Sequence, residues 1–237
     1  MLDFSNYNGA HAAFAEYQVD LSEDQYSLFD RFARLMIAES QFQNITAVIE
    51  YQEIWIRHFL DSAYLLRFLP AHGKLIDIGT GGGVPAIPLA ILCDSLQITL
   101  LDSEERKVDF CHDAARELGL DVQCLCGRAE ELAKCHSYRE HFDIATSRAM
   151  ANGSMLTELS VPFLKIGGKL YAMKGRNYDA AVERFSEAAE KMGAIQYLPV
   201  HSYEIAGEQK HLIVLEKTCE TSEQYPRRFA KIKRNPL

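Results

Sequence analysis

This 237-residue chain lacks the usual marks of a disulfide scaffold, a metal site, an exported protein or a membrane protein. Its six cysteines (93, 111, 124, 126, 135 and 219) include no Cys-x-x-Cys. Cys124-x-Cys126 falls in a stretch that reads as a strand, where alternation puts both side chains on one face. Small buried apolar residues are expected there, not a redox pair. The eight histidines show no zinc-ligand spacing; His58-x-x-Asp61 is the nearest approach, and no metal is expected. The longest apolar run, Val84 to Cys93, is far short of the roughly 20 residues that span a bilayer. The opening MLDFSNYNGA has neither a basic start nor an apolar core, which argues against a secretory leader and for a cytoplasmic protein.

Positive charge is also scarce. The chain has 25 Lys and Arg against 33 Asp and Glu, a formal charge of −8, so its surface as a whole does not attract nucleic acid. The cations are unevenly spread, however. Arg227, Arg228, Lys231, Lys233 and Arg234 stand between Tyr225 and Leu237 without a single acid. A basic tail on an acidic body points to one localised anionic contact, the alternative being a merely solvated tail. The length suits one domain, or one domain with an appended subdomain.

The first twenty residues read as irregular. Leu28, Phe29, Phe32, Leu35 and Met36 then form an apolar helical stripe, introduced by the capping box Ser22-x-x-Gln25. A second helix is expected from about Glu50 to Leu69, with Trp55, Phe59, Ala63 and Leu66 on one face, closed by Pro70. Residues 1–72 are accordingly taken as an N-terminal helical extension, and 73–237 as an α/β domain. From Lys74 strands and helices alternate. Strands are expected at Leu75–Ile78, Gln97–Leu101, Val122–Cys126, Phe142–Ala145 and Lys169–Met173, with a final pair near 194–201 and 211–216. Intervening helices include one from Ala86 to Cys93, one capped by Ser103, one from Ser154 to Leu164 and one carrying Val182, Phe185, Ala189 and Met192. Strand–helix alternation implies right-handed crossovers and a mainly parallel sheet, ending in an antiparallel hairpin.

The strongest local signal is Asp77-Ile78-Gly79-Thr80-Gly81-Gly82-Gly83-Val84-Pro85, between a predicted strand and a predicted helix. A backbone that must approach a ligand closely needs such side-chain-free positions. The dinucleotide fingerprint G-x-G-x-x-G requires glycine at 84, where Val84 stands. The G-x-G-x-G spacing instead matches the class I methyltransferases, whose loop packs under the methionine and ribose parts of S-adenosylmethionine. Asp102 ends the next strand, where an acid accepts hydrogen bonds from ribose hydroxyls; a helix N-terminal acid is the plainer alternative.

With these motifs in place, the chain resembles the RsmG (GidB) family of small-subunit ribosomal RNA methyltransferases, from about Phe32 to Leu237. The resemblance rests on Asn44-Ile45-Thr46, His58-Phe59-Leu60-Asp61-Ser62, the glycine loop with Ile87-Pro88-Leu89, Leu101-Asp102-Ser103, Gly127-Arg128-Ala129-Glu130, Ser147-Arg148-Ala149, Lys174-Gly175 and Tyr225-Pro226-Arg227…Pro236-Leu237. Val84, Ala86 and Met150 depart mildly from the family pattern. The resemblance implies a class I S-adenosylmethionine-dependent methyltransferase with a seven-stranded, mainly parallel Rossmann-like sheet. It also implies S-adenosylmethionine as cofactor, held by Gly79, Gly81, Val84 and Asp102, with Ala129 and Glu130 beside the adenine and Arg148 where cofactor and substrate meet. The implied substrate is N7 of a guanine in the 530 loop of 16S ribosomal RNA.

Guanine N7 carries a free lone pair, so no general base is required and no catalytic acid or base is assigned; proximity and alignment carry the catalysis. No Pro-Cys dipeptide and no Asn-Pro-Pro-Tyr loop is present for attack at pyrimidine C5 or at exocyclic amines. Arg148, Lys174, Arg176, Arg227 and Arg228 are the candidate RNA contacts. Three other readings stay open: a small-molecule methyltransferase, a Rossmann oxidoreductase that Val84 disfavours, and a non-catalytic RNA-binding protein.

Overall fold

The computed structural model describes residues 2–237. Helix α1 (Tyr7–Glu16) occupies the stretch expected to be irregular: Asn6 caps it by accepting from the Gly9 amide, and Ala10, Ala13 and Phe14 are buried. A glycine inside the helix obscured it in the sequence. Gly9 is needed because a Cβ there would strike the Asp3 carbonyl. Helix α2 (Glu23–Ser40) begins with the expected capping box between Ser22 and Gln25 and buries Phe29, Phe32, Ala33 and Met36.

The second expected helix is a composite. Helix α3 (Tyr51–Ile54) passes into a π-helical turn (Trp55–Leu60), then α4 (Asp61–Tyr64) and a 3-10 turn (Leu65–Arg67). Trp55 lies at the hub of an aromatic cluster, with the rings of Phe4, Phe14, Tyr26, Phe29, Tyr51 and Phe59 centred 5.2–6.3 Å from it. These helices do not stand apart from the sheet. Their buried residues share one core with Leu75, Ile87, Leu89, Leu100, Phe110 and Ile144. Burial of large aromatic side chains in that shared core, at about 1.5–3 kcal/mol each, binds the helical layer to the sheet.

The alternating part runs β1 (Gly73–Ile78), α5 (Ala86–Leu92), β2 (Leu96–Asp102), α6 (Glu105–Leu118), β3 (Val122–Cys126), α7 (Ala129–Leu132), β4 (Phe142–Arg148), α8 (Gly153–Ser160), β5 (Leu164–Lys174), α9 (Ala180–Glu183), α10 (Phe185–Met192), β6 (Ala194–Gln196), β7 (His201–Ile205), β8 (Glu208–Lys217) and α11 (Phe229–Arg234). The sheet order is β3-β2-β1-β4-β5-β8-β6, with β7 also on β8. The first five strands are parallel and β8 is antiparallel to β5. Strands β6 and β7 pair with successive halves of β8, so eight strands fill seven positions. The outermost one is interrupted around Pro199, which has no amide to donate.

Four local expectations change. Ser103 does not cap α6: Asp102 Oδ1 accepts from the Glu104 amide (3.0 Å), and Glu104 is the capping position. The helix from Ser154 ends at Ser160 and turns 3-10 over Val161–Phe163. Val182 is 68% exposed, because the chain breaks at Arg184 (φ +53°) between α9 and α10. Cys126 is exposed and Cys124 half-buried, since β3 is the edge strand. No helix among the described residues is long and apolar enough to cross a membrane.

Candidate active site

The carboxyl ends of β1, β2, β3 and β4 open on one cavity of about 430 Å³. It forms where the strand order reverses on either side of β1, the position at which open α/β sheets bind ligands. Gly79, Gly81, Val84, Asp102, Ala129, Glu130 and Arg148 all line it. Its walls therefore bring together every residue singled out for the cofactor, although these span 70 positions of sequence.

The glycine loop is stitched to β2 by main-chain bonds: the Gly79 and Thr80 amides both donate to the Leu101 carbonyl, at 2.8 and 3.0 Å. Gly79 (φ +71°) needs its missing side chain twice over, since its backbone is left-handed and a Cβ would lie 2.5 Å from Met150 Cγ. Asp102, buried at the end of β2, organises the neighbouring turns. Its Oδ2 accepts from the Gly81 amide (2.9 Å), its Oδ1 from the Glu104 amide, and its carbonyl from the Gly127 amide (2.9 Å). Beneath the loop, the Cys111 thiol donates to the Gly81 carbonyl (3.3 Å), and burial pushes that thiol well up. Asp77 is wholly buried under the loop, accepting from Thr146 Oγ1 (2.8 Å); burial raises its carboxyl to about 6. The hydroxyls of Thr80 and Thr146 pull that value back down.

Glu130 is buried, and Arg128 donates to it at 3.3 Å. The guanidinium of Arg128 also lies 4.2 Å over the ring of Phe229, the first residue of α11, and Phe229 lines the cavity. The basic C-terminal helix therefore sits at the rim of the pocket. It is seated by Ile232 and Leu237, both buried, and by Arg227.

Arg148 ends β4 and reaches across to the π-helical turn. Its Nη1 donates to the Arg57 carbonyl (2.8 Å), its Nη2 meets His58 Nδ1 (3.0 Å), and Asp61 Oδ2 lies 3.8 Å away. Asp61 also accepts from Tyr203 Oη on β7 (2.9 Å), and His58 Nε2 meets Thr46 Oγ1 (2.9 Å). Burial raises the Asp61 carboxyl, while Arg148 pulls it back. Burial and the adjacent Arg148 charge together push His58 down to about 3. His58-x-x-Asp61 is thus an arginine clamp. Thr46 and His58 line the cavity too; the motifs that hold them are visible in the sequence, but nothing local shows that His58 bridges Arg148 and Thr46.

Two of the expected RNA contacts are committed elsewhere. Lys174 Nζ donates to the Ala151 carbonyl (2.6 Å) and pairs with Glu183 (2.9 Å), its side chain only 10% exposed. Arg227 makes a two-pronged pair with Glu158, which is wholly buried and also accepts from the Arg227 amide (2.8 Å). Both cations are paired internally and so help to hold the fold. Arg176 and Arg228 are exposed, as are Lys231, Lys233 and Arg234.

Residues 25–213 match the family described as GidB, rRNA small subunit methyltransferase G. The chain belongs to this family. Ribosomal RNA small subunit methyltransferase G of Clostridium botulinum (strain 657 / Type Ba4) is 35% identical over 235 residues, 98% of either chain. The protein of that name from Streptococcus sanguinis (strain SK36) is 36% identical over 231 residues, 94% of this chain and 96% of its own. Among solved structures, M. jannaschii TYW2 in complex with AdoMet aligns with a TM-score of 0.52 at 15% identity, over 66% of this chain and 74% of that one. TrmN from Thermus thermophilus aligns at 0.55 and 18%, over 76% and 52%. At these identities the structures speak for the fold, and it is the class I methyltransferase fold expected from the sequence. The cavity also fits S-adenosylmethionine chemically: a side-chain-free loop, open space beside Gly81 that a Cβ would enter, and the Asp102 carboxylate in its wall.

Proposed function

We propose that this protein transfers a methyl group from S-adenosylmethionine to N7 of a guanine in the 530 loop of 16S ribosomal RNA, acting in the cytoplasm on the small ribosomal subunit. One observation carries the reading: the cavity at the strand ends, with its glycine loop and Asp102, is rimmed by a short helix that bears three exposed cations, Lys231, Lys233 and Arg234.

The main chain at Gly79, Gly81 and Val84 would support the cofactor, Asp102 would accept from its ribose, and Ala129 and Glu130 would border its adenine. When bound, S-adenosylmethionine supplies an electrophilic methyl group that the N7 lone pair takes without prior removal of a proton. The protein's part is then positioning and exclusion of water. Arg148 keeps unused N–H groups for substrate, because two of its five donors are spent on Arg57 and His58. Arg176, Arg228 and the other α11 cations would meet RNA phosphates. The target guanine must be unpaired or splayed to enter.

Incubation with labelled S-adenosylmethionine and small subunits lacking the modification should label one guanine at N7 in the 530 loop. Label only on small molecules from a parallel panel, and none on the subunits, would refute the reading.

A further inference from the structure

Arginine never accepts a hydrogen bond, so the contact from Arg148 Nη2 to His58 Nδ1 at 3.0 Å assigns that imidazole nitrogen as the acceptor. A neutral histidine then carries its proton on Nε2, and Nε2 faces Thr46 Oγ1 at 2.9 Å. Thr46 Oγ1 therefore accepts from His58. It also accepts from the Val48 amide at 3.1 Å. Both of its lone pairs are taken, and its own hydroxyl proton has no partner among the described residues. Thr46 lines the same cavity as Arg148, the glycine loop and Asp102.

We infer that the Thr46 hydroxyl is a fixed hydrogen-bond donor aimed into the substrate end of the pocket, where it reads the O6 carbonyl of the guanine being methylated. The inference rests on the function proposed above. Guanine presents two acceptors on its major-groove edge, N7 and O6, whereas adenine presents N7 beside an amino donor. With N7 given over to the methyl group, O6 is the only acceptor left on that edge. A hydroxyl that can donate but not accept favours guanine and faces the adenine amino group with a proton. The direction of the whole chain, Arg148 to His58 to Thr46 to base, is set by the guanidinium at its head. The low affinity of His58 for a second proton keeps it so at neutral pH. Thr46 is thus a specificity-determining residue, and His58 is a positioning residue that acts through it.

The test compares wild type, Thr46→Val and Thr46→Ser on small subunits reconstituted with guanine, or with 2-aminopurine (which lacks O6), at the methylated position. On guanine, Thr46→Val should lose about tenfold in kcat/KM, as expected for one hydrogen bond of about 1.4 kcal/mol. Its affinity for S-adenosylmethionine should not change. Thr46→Ser should recover most of that loss. On 2-aminopurine the wild type should fall to the level of Thr46→Val. A valine variant as active as wild type on guanine, or one whose loss lies in cofactor affinity, overturns the inference. A wild type that methylates no small subunit takes down the proposed function first, a distinguishable failure. Independently of folding in the variants, ¹⁵N-histidine spectra of the wild-type protein should show His58 as the Nε2–H tautomer from pH 6 to 8; the Nδ1–H tautomer would contradict the relay.

Discussion

The two halves of the pocket are built differently. The half around the glycine loop comes from one stretch of sequence: a strand, a glycine turn and an aspartate one strand over, tied by bonds from the Gly79 and Gly81 amides to Leu101 and Asp102. The half around Arg148 and the C-terminal helix is assembled from distant parts. Arg148 meets a helix 90 residues upstream, Tyr203 completes the clamp 142 residues from Asp61, and α11 is pinned through Arg227 to Glu158. The first half is stabilised by backbone geometry that glycine makes cheap. The second depends on buried charges that are costly unless every partner is present.

The largest expected effect lies in the assembled half. Arg227→Ala leaves the wholly buried Glu158 without its counter-charge and should destabilise the protein by about 3–5 kcal/mol in denaturant titrations. A loss below about 1 kcal/mol would mean that α11 is not anchored there. In the local half, Asp102→Ala should weaken S-adenosylmethionine binding roughly 10- to 100-fold by calorimetry, since it removes the proposed ribose acceptor and frees the Gly81 amide. Unchanged affinity would shift the cofactor away from β2.

The clamp should also show in the acid range. Folded His58 titrates at about 3 instead of 6.5, so between those values the unfolded chain binds a proton that the folded chain refuses, and stability falls as pH falls. Asp77 acts oppositely: its folded value is about 6, so the folded chain holds the extra proton, and its contribution is lost as pH rises through 6. Between pH 6 and 4 these two contributions therefore oppose each other. His58→Asn removes one side of this balance, and its stability relative to wild type should rise by about 2 kcal/mol from pH 7 to pH 5. A difference independent of pH would show that His58 titrates in the fold as it does in the unfolded chain. The smallest effect contrasts two adjacent arginines. Arg228→Ala should leave stability within about 0.5 kcal/mol of wild type while lowering the salt slope of RNA binding by about one unit.

These contrasts follow what could be read along the chain. The strands β1 to β5, the glycine loop, Asp102 and the capping box at Ser22 were legible because each is a short-range pattern of alternation, turn chemistry or capping. Helix α1 was not, because Gly9 weakens its local signal and only contact with Asp3 explains that glycine. The ion pairs of Lys174 and Arg227 were not legible, because charge composition does not show which acid lies opposite. Glu183 is 9 residues from the first, and Glu158 is 69 residues from the second.

The linear chain alone settled the class of fold and where its glycine loop lies. Those features depend on backbone freedom and hydrophobic period, which are properties of neighbours in sequence. Which arginines are spent internally, which face solvent, and which way the protons point from Arg148 to Thr46 were decided only when remote segments packed together. Burial sets the cost of a charge, and burial exists only in three dimensions.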